Sequence, residues 1–256
     1  MSDSDFYMVQ LGLDAKGLTT LGKMLHLPLA QTDTGYLVHC ALKELFQNDA
    51  PQPYSVENES QNGRRVRVLG YTAADTDTLQ ASAQLDAGPT VYEICDWDRL
   101  AAKPMPETFP EGMALQFELR ACPVVRKASA GEGVNQHGET RSWDEGEELD
   151  AFLAEAWTRP EEDDLSREQV YCDWLDRQFE IRGGAELQST GMTRFSIERM
   201  TRRNGPDRTP DTIKRPDVTL TGTLEVTDGD AFVDILRSGL GRHKSFGYGM
   251  LKVRRA

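Results

Sequence analysis

The sequence predicts an α+β protein made of two consecutive mixed units, and three observations carry that expectation. Short segments alternate apolar and polar residues with period two, others repeat apolar residues every three or four positions, and the two kinds interleave. The chain has 256 residues, 38% of them hydrophobic, which suits one large domain or two small ones with ample core. The order strand, helix, strand, strand, helix, strand can be traced once clearly and a second time more loosely.

Taken in order, Phe6 to Leu13 alternates as an opening strand, and Tyr36 to Gln47 has helical periodicity, with a connection of about twenty residues between them. Tyr54 to Glu57 and Arg65 to Tyr71 follow as strands joined by a polar turn containing Asn62-Gly63. Asp75 to Leu85 reads as a second helix and Met113 to Cys122 as a fourth strand, which closes a ferredoxin-like unit over residues 1–123. Residues 124–256 are expected to form a second, degraded unit of the same kind. Helices are predicted at Glu147 to Trp157 and Arg167 to Phe179, the latter with Ser166 and Gln169 at capping-box spacing. Strands at Arg194 to Met200 and Val218 to Val226 flank a mobile basic hairpin tip, Thr201 to Arg215. A helix beginning at Asp228 ends at Gly239, and Tyr248 to Val253 is the closing strand.

Charge is divided sharply along the chain. The total is −13, but Glu132 to Glu180 alone holds sixteen acidic residues against four arginines. Arg182 to Arg215 holds seven arginines and Lys214 against four acids. The expectation is therefore a polar molecule with one basic face, able to meet phosphates despite its acidic total. The acidic segment is too rich in Trp143, Phe152, Trp157, Trp174 and Phe179 to be a disordered tail, so its helices should pack by their apolar faces and turn their acids outward. Docking of a basic neighbouring protein is one use of that surface. The four cysteines are isolated and read as reduced thiols, with neither a disulfide frame nor a zinc site, and no metal or other cofactor is expected. No run of eighteen apolar residues exists, and the acidic start lacks the features of a secretory signal; a cytoplasmic protein with no membrane contact is expected.

Two stretches carry chemistry. Gly239-Leu-Gly-Arg-His-Lys-Ser-Phe-Gly-Tyr-Gly249 brackets Arg242, His243, Lys244 and Ser245 with glycines, as a phosphate cradle would, although Gly239 also serves as a helix stop and Gly247 and Gly249 as strand kinks. It is not a nucleotide P-loop, because it follows a helix and does not open one. On the 36–47 helix, Leu37, Val38, Ala41, Leu42, Leu45 and Phe46 gather on one side, while Tyr36, His39, Cys40 and Lys43 lie on the other. Spacing alone fits both an ordinary exposed histidine and a Tyr/His pair one turn apart that faces a single phosphate.

The glycine-rich loop resembles the C-terminal signature of the CRISPR RNA-processing endoribonucleases of the CasE kind, within the RAMP superfamily. Asp33-Thr-Gly-Tyr-Leu-Val-His-Cys-Ala-Leu-Lys-Glu-Leu-Phe46, Gln116-Phe-Glu-Leu-Arg-Ala-Cys-Pro123 and Val218-Thr-Leu-Thr-Gly-Thr-Leu-Glu-Val226 are similar, in the same order, to that family's first helix, central strand and the strand before its last helix. The long 15–33 connection and the acidic segment depart from the simple pattern, as in a divergent branch such as the type IV processing nuclease. The resemblance implies two tandem ferredoxin-like (RRM-like) units, to which this sequence adds an acidic helical insertion and a basic β-hairpin. It also implies cleavage of precursor CRISPR RNA at the base of the repeat stem-loop, with the protein remaining bound to the product beside other effector-complex subunits.

RNA can be cut without a metal by its own 2′-hydroxyl, leaving a 2′,3′-cyclic phosphate and a 5′-hydroxyl. The resemblance assigns His39 as general acid/base, Tyr36 as its partner, and Lys244 with Arg242 as stabilisers of the phosphorane charge. RNA binding is expected from Gly241, Arg242, His243, Lys244, Ser245 and Gly247 of the loop. The hairpin region adds Arg194, Arg199, Arg202, Arg203, Arg208 and Arg215, suited to the phosphates of an A-form stem. His243 could assist or replace His39. His26 is an alternative that matches no family position, and His137 has no evident role. Two other readings stay open: a non-catalytic RNA-binding subunit of the effector complex, and a metabolic enzyme using the loop for a small phosphorylated ligand, for which no cofactor motif is present.

Overall fold

The computed structural model describes residues 5–30, 32–59, 64–135, 137–159, 165–204 and 209–256, with side chains described throughout these except at 58–59, 202–204 and 209–211. The first unit runs β1 (Tyr7–Asp14), α1 (Ala15–Met24), α2 (Thr34–Phe46), β2 (Tyr54–Glu59), β3 (Arg65–Thr72), α3 (Thr76–Asp86), α4 (Pro89–Tyr92) and β4 (Ala101–Pro104). Its sheet has the antiparallel order β2-β3-β1-β4, the arrangement of a ferredoxin-like unit. Val9, Leu11 and Leu13, alternating along β1, lie in one core with Val38, Ala41, Leu42, Leu45 and Phe46 of α2.

The second unit runs β5 (Ala114–Ala121), β6 (Val124–Arg126), β7 (Gly131–Val134), β8 (Thr140–Trp143), β9 (Glu148–Asp150), α5 (Ala151–Thr158), α6 (Arg167–Arg182), β10 (Ala185–Asn204), β11 (Thr209–Val226), α7 (Gly229–Ser238) and β12 (Leu251–Arg255). Its sheet order, β10-β11-β5-β12, repeats the first: second, third, first and fourth strand of the unit. Between β5 and α5, two small ribbons are inserted, β6 with β9 and β7 with β8. Apolar residues of α6 (Val170, Tyr171, Trp174, Leu175, Phe179) and of α7 (Phe232, Ile235, Leu236) bury together against this sheet. The acidic segment therefore packs by its apolar faces, as its composition predicts.

Several expectations are corrected. The strand at 113–122 is the first strand of the second sheet, and the fourth strand of the first sheet is the short β4, whose alternation is too brief to read. The 15–33 connection contains α1, capped by Asp14, whose carboxylate accepts from the Gly17 amide at 2.6 Å. The helix predicted from Glu147 starts at Ala151 after β9, because Asp150 takes the N-cap position. Ser166 does cap α6, but Gln169 bonds forward to Asp173 at 2.7 Å, so only half of a capping box forms. The hairpin is longer than expected, since the β10–β11 ladder continues to Asn204 opposite Thr209. The Asn62-Gly63 turn lies outside the described residues.

The two units share their interiors. Phe6 and Tyr71 of the first unit belong to the core of the second, and the Tyr71 hydroxyl donates to the Leu251 carbonyl at 2.9 Å. Lys252 of β12 reaches Glu57 of β2 at 2.6 Å. A cleft of about 700 Å³ lies between the sheets beside this ion pair, lined by Arg67, Gln116, Glu118 and Arg254 among others. Among the described residues no helix is long and apolar enough to cross a membrane, and the four cysteines are free thiols.

Candidate RNA-cleavage site

The first turn of α2 meets the glycine-rich loop. Asp33 caps the helix, its Oδ1 accepting from the Tyr36 amide at 2.9 Å. Val38, Ala41 and Leu42 face the core, which turns Tyr36 and His39 toward the loop side, both half-buried. The two rings stack with centroids 6.0 Å apart. Phe246, buried in the loop, also stacks with Tyr36, at 5.3 Å, and His243 meets Phe246 edge-on at 6.1 Å. A small apolar cluster of Cys122, Val124, Met200, Phe246 and Tyr248 supports this stack.

The loop backbone explains its glycines. Gly239, Gly241, Gly247 and Gly249 all have positive φ, as does His243 at 61°. The space a side chain would need is taken by the protein itself: a Cβ at Gly241 would lie 2.8 Å from the Trp174 ring, and one at Gly247 3.3 Å from Tyr54 and Val56. The loop is thus a packed turn whose glycines serve its own fold. Lys244 to Phe246 form one 3₁₀ turn at its tip, with Ser245 partly buried.

Tyr54, which the sequence reading did not single out, joins the two elements. Its buried hydroxyl lies 2.8 Å from the Gly35 carbonyl of α2 and 2.9 Å from the Ser245 carbonyl of the loop, so one proton is shared between two acceptors. Burial, the nearby Asp33 carboxylate and Cys40 push this phenol well above its usual range. No sequence signal marks it, because the contact spans 191 positions.

The charges distribute as follows. His39 is held below its ordinary value, first by burial and then by Lys43. Lys244 is held below its ordinary value first by burial and then by Arg182. Arg242 and His243 both engage Glu148, at 2.5 Å and 3.0 Å, and Arg215 approaches the same carboxylate at 3.5 Å. Arg194 leans on the buried Asp217 at 3.4 Å, which Arg120 grips with two bonds of 2.9 Å while lying over the Tyr248 ring. Arg120, Asp217 and Glu148 are further residues of the site that the sequence reading did not nominate.

Farther along the hairpin, Arg199 and Lys214 face each other across the ladder and both are exposed. Like charges placed directly opposite are destabilising in a sheet. Arg202 and Arg203 lie on β10 with their side chains outside the described set, and Arg208 is outside the described residues altogether. His26 sits just past the end of α1, and His137 in the turn between β7 and β8. Among the described residues, no group of three His, Cys, Asp or Glu side chains is placed to hold a metal ion.

Fold and site together define a tandem ferredoxin-like protein in which a helix-borne Tyr/His pair is docked on a basic, glycine-rich loop. The sequence profile described as CRISPR associated protein matches residues 6–255, and the chain belongs to that family. Its fold is shared with a CRISPR endoribonuclease Cse3 bound to 19 nt RNA, at TM-score 0.60 and 17% identity over 97% of this chain and 98% of that one. It is shared also with Thermus thermophilus Cse3 bound to an RNA representing a pre-cleavage complex (0.56, 17%, 97% and 98%). The CRISPR-associated protein Cas6e from Escherichia coli K-12 has it too (0.55, 19%, 98% and 100%). No curated protein sequence matches the chain.

Proposed function

We propose that this chain is an endoribonuclease that cuts precursor CRISPR RNA within the repeat and stays on the stem-loop as part of an effector complex. The observation that carries the proposal is the Tyr36–His39 pair, presented on the loop-facing side of α2 and backed by Phe246. The shared fold with an endoribonuclease bound to RNA, and with a chain of a CRISPR RNA-guided surveillance complex, supports the same reading.

In this reading the lowered His39 is neutral near neutral pH and accepts the proton of the 2′-hydroxyl. The freed oxygen attacks the adjacent phosphorus, the bond to the 5′-oxygen breaks, and that oxygen takes a proton from the Tyr36 phenol. The products are a 2′,3′-cyclic phosphate and a 5′-hydroxyl, and the enzyme recovers its protonation by exchange with water. Lys244 and Arg242 would balance the charge of the phosphorane. Arg194, Arg199 and Arg215, with Lys214, would hold the stem's phosphates. No metal is assigned a role.

The test is incubation of the purified protein with its own repeat RNA, with and without EDTA, and with a 2′-deoxy nucleotide before the cut. The proposal expects cleavage in EDTA and none of the deoxy substrate. The alternative is a non-catalytic RNA-binding subunit of the effector complex. Tight binding of an RNA that stays intact would establish that alternative.

A further inference from the structure

Two acids of the segment, Glu148 and Asp150, turn inward into ion pairs, and Glu148 is the one that meets the glycine-rich loop. It opens β9, is paired with Arg126 of β6 in the ribbon, and turns inward with its side chain only 10% exposed. Its Oε1 meets Arg242, and its Oε2 meets both His243, itself 6% exposed, and Arg215. Burial pushes this carboxyl up, but the His243 and Arg242 charges outweigh that and hold it below the usual carboxylate value. A negative charge set among the cations that are to receive phosphate opposes RNA binding, so its presence calls for a compensating use.

That use is visible in the chain of contacts that begins at Glu148. His243 stands at the start of the 3₁₀ turn with a left-handed backbone, and its carbonyl accepts from the Phe246 amide at 2.9 Å. Phe246 carries Tyr36, and Tyr36 stacks on His39. We propose that Glu148 is a positioning residue for repeat-RNA cleavage, tethering Arg242 and His243 so that the loop fixes the Tyr36–His39 pair while weakening RNA binding. The proposal rests on the endoribonuclease reading. It gives the acidic insertion a part in the reaction, since β9 belongs to the insertion and not to either large sheet.

Glu148→Gln keeps the shape and removes the charge. Cleavage is followed in single turnover at saturating protein, and affinity is measured over a salt series with repeat RNA made uncleavable by a 2′-deoxy nucleotide. The variant is expected to cut roughly tenfold to a hundredfold more slowly, as for a misplaced catalytic group. It should bind as tightly as wild type or more tightly, with a salt slope at least as steep. Glu148→Asp, which retains the charge, should recover part of the rate. A Gln variant that cuts at the wild-type rate overturns the proposal, as does an Asp variant no faster than Gln. A variant that is slower, binds more weakly and melts earlier makes Glu148 a structural residue and equally overturns it. Wild-type protein that leaves its repeat intact removes the endoribonuclease reading itself, a result distinct from any difference between variants.

Discussion

Gly35 in the first turn of α2 lies against the carbonyl of Phe246 so tightly that a Cβ at position 35 would overlap the oxygen. The helix therefore seats on the loop through bare backbone, and this contact sets how close Tyr36 comes to Phe246. Gly35→Ala would drive the two apart, at a cost of about 1–3 kcal/mol for overpacking. Cleavage should fall with stability. Gly88→Ala, where an added Cβ meets nothing within 4 Å, is the matched control and should stay within about 0.5 kcal/mol of wild type by denaturant titration.

Tyr54→Phe removes the hydroxyl that joins Gly35 to Ser245 and leaves two carbonyls to find other donors. The expected loss is about 1–3 kcal/mol, with cleavage slowed and hairpin binding to RNA preserved. Urea unfolding with a single-turnover assay checks both halves, and unchanged stability would mean that water replaces the phenol at no cost.

His39→Ala should slow cleavage by an amount on the order of 3 to 5 kcal/mol in the activation barrier, with little change in affinity for the stem-loop. A rate within about threefold of wild type would transfer the role to His243 or to the arginines.

Acid stability gives an independent handle on the same side chain. Because folding holds His39 below its ordinary 6.5, the unfolded chain binds that proton more readily, and stability declines as pH falls through the window between the two values. His39→Gln removes this contribution, so its melting temperature should drop less than that of wild type between about pH 7.5 and pH 5. Identical acid slopes would mean that burial does not perturb the ring.

Replacing Arg199 and Lys214 together by alanine should weaken stem-loop binding and lower the slope of log affinity against log salt by roughly 1 to 2, since each lost phosphate contact releases fewer counterions. The folded protein should be no less stable, because the pair is exposed and of like charge. An unchanged slope would show that this face of the hairpin does not meet RNA.

Local pattern was enough for β1, by alternation, for α2, by apolar spacing and an Asp cap, and for α6 and α7, where apolar spacing, a Ser or Asp cap and a glycine stop agree. It failed at α1, whose buried face is only Leu18, Leu21 and Gly22 and whose two glycines lower helix propensity. It misplaced the strand at 114–121 because alternation shows that a strand exists and not which sheet receives it. Tyr36 and His39 were legible as a one-turn pair on the polar side of a helix. Tyr54 and Glu148 were not, because what distinguishes them is a partner 191 or 95 positions away, and Glu148 is one acid among sixteen in its segment.

Phe6 and Tyr71, contributed by one unit to the interior of the other, bear on how this molecule comes apart. Neither half can be removed without opening an apolar hole in its neighbour and freeing the Leu251 carbonyl from the Tyr71 hydroxyl. The repeated strand order suggests two modules, but the thermodynamic unit is the whole chain: unfolding would be a single cooperative event, and a loss of stability anywhere would reach the Tyr36–His39 pair.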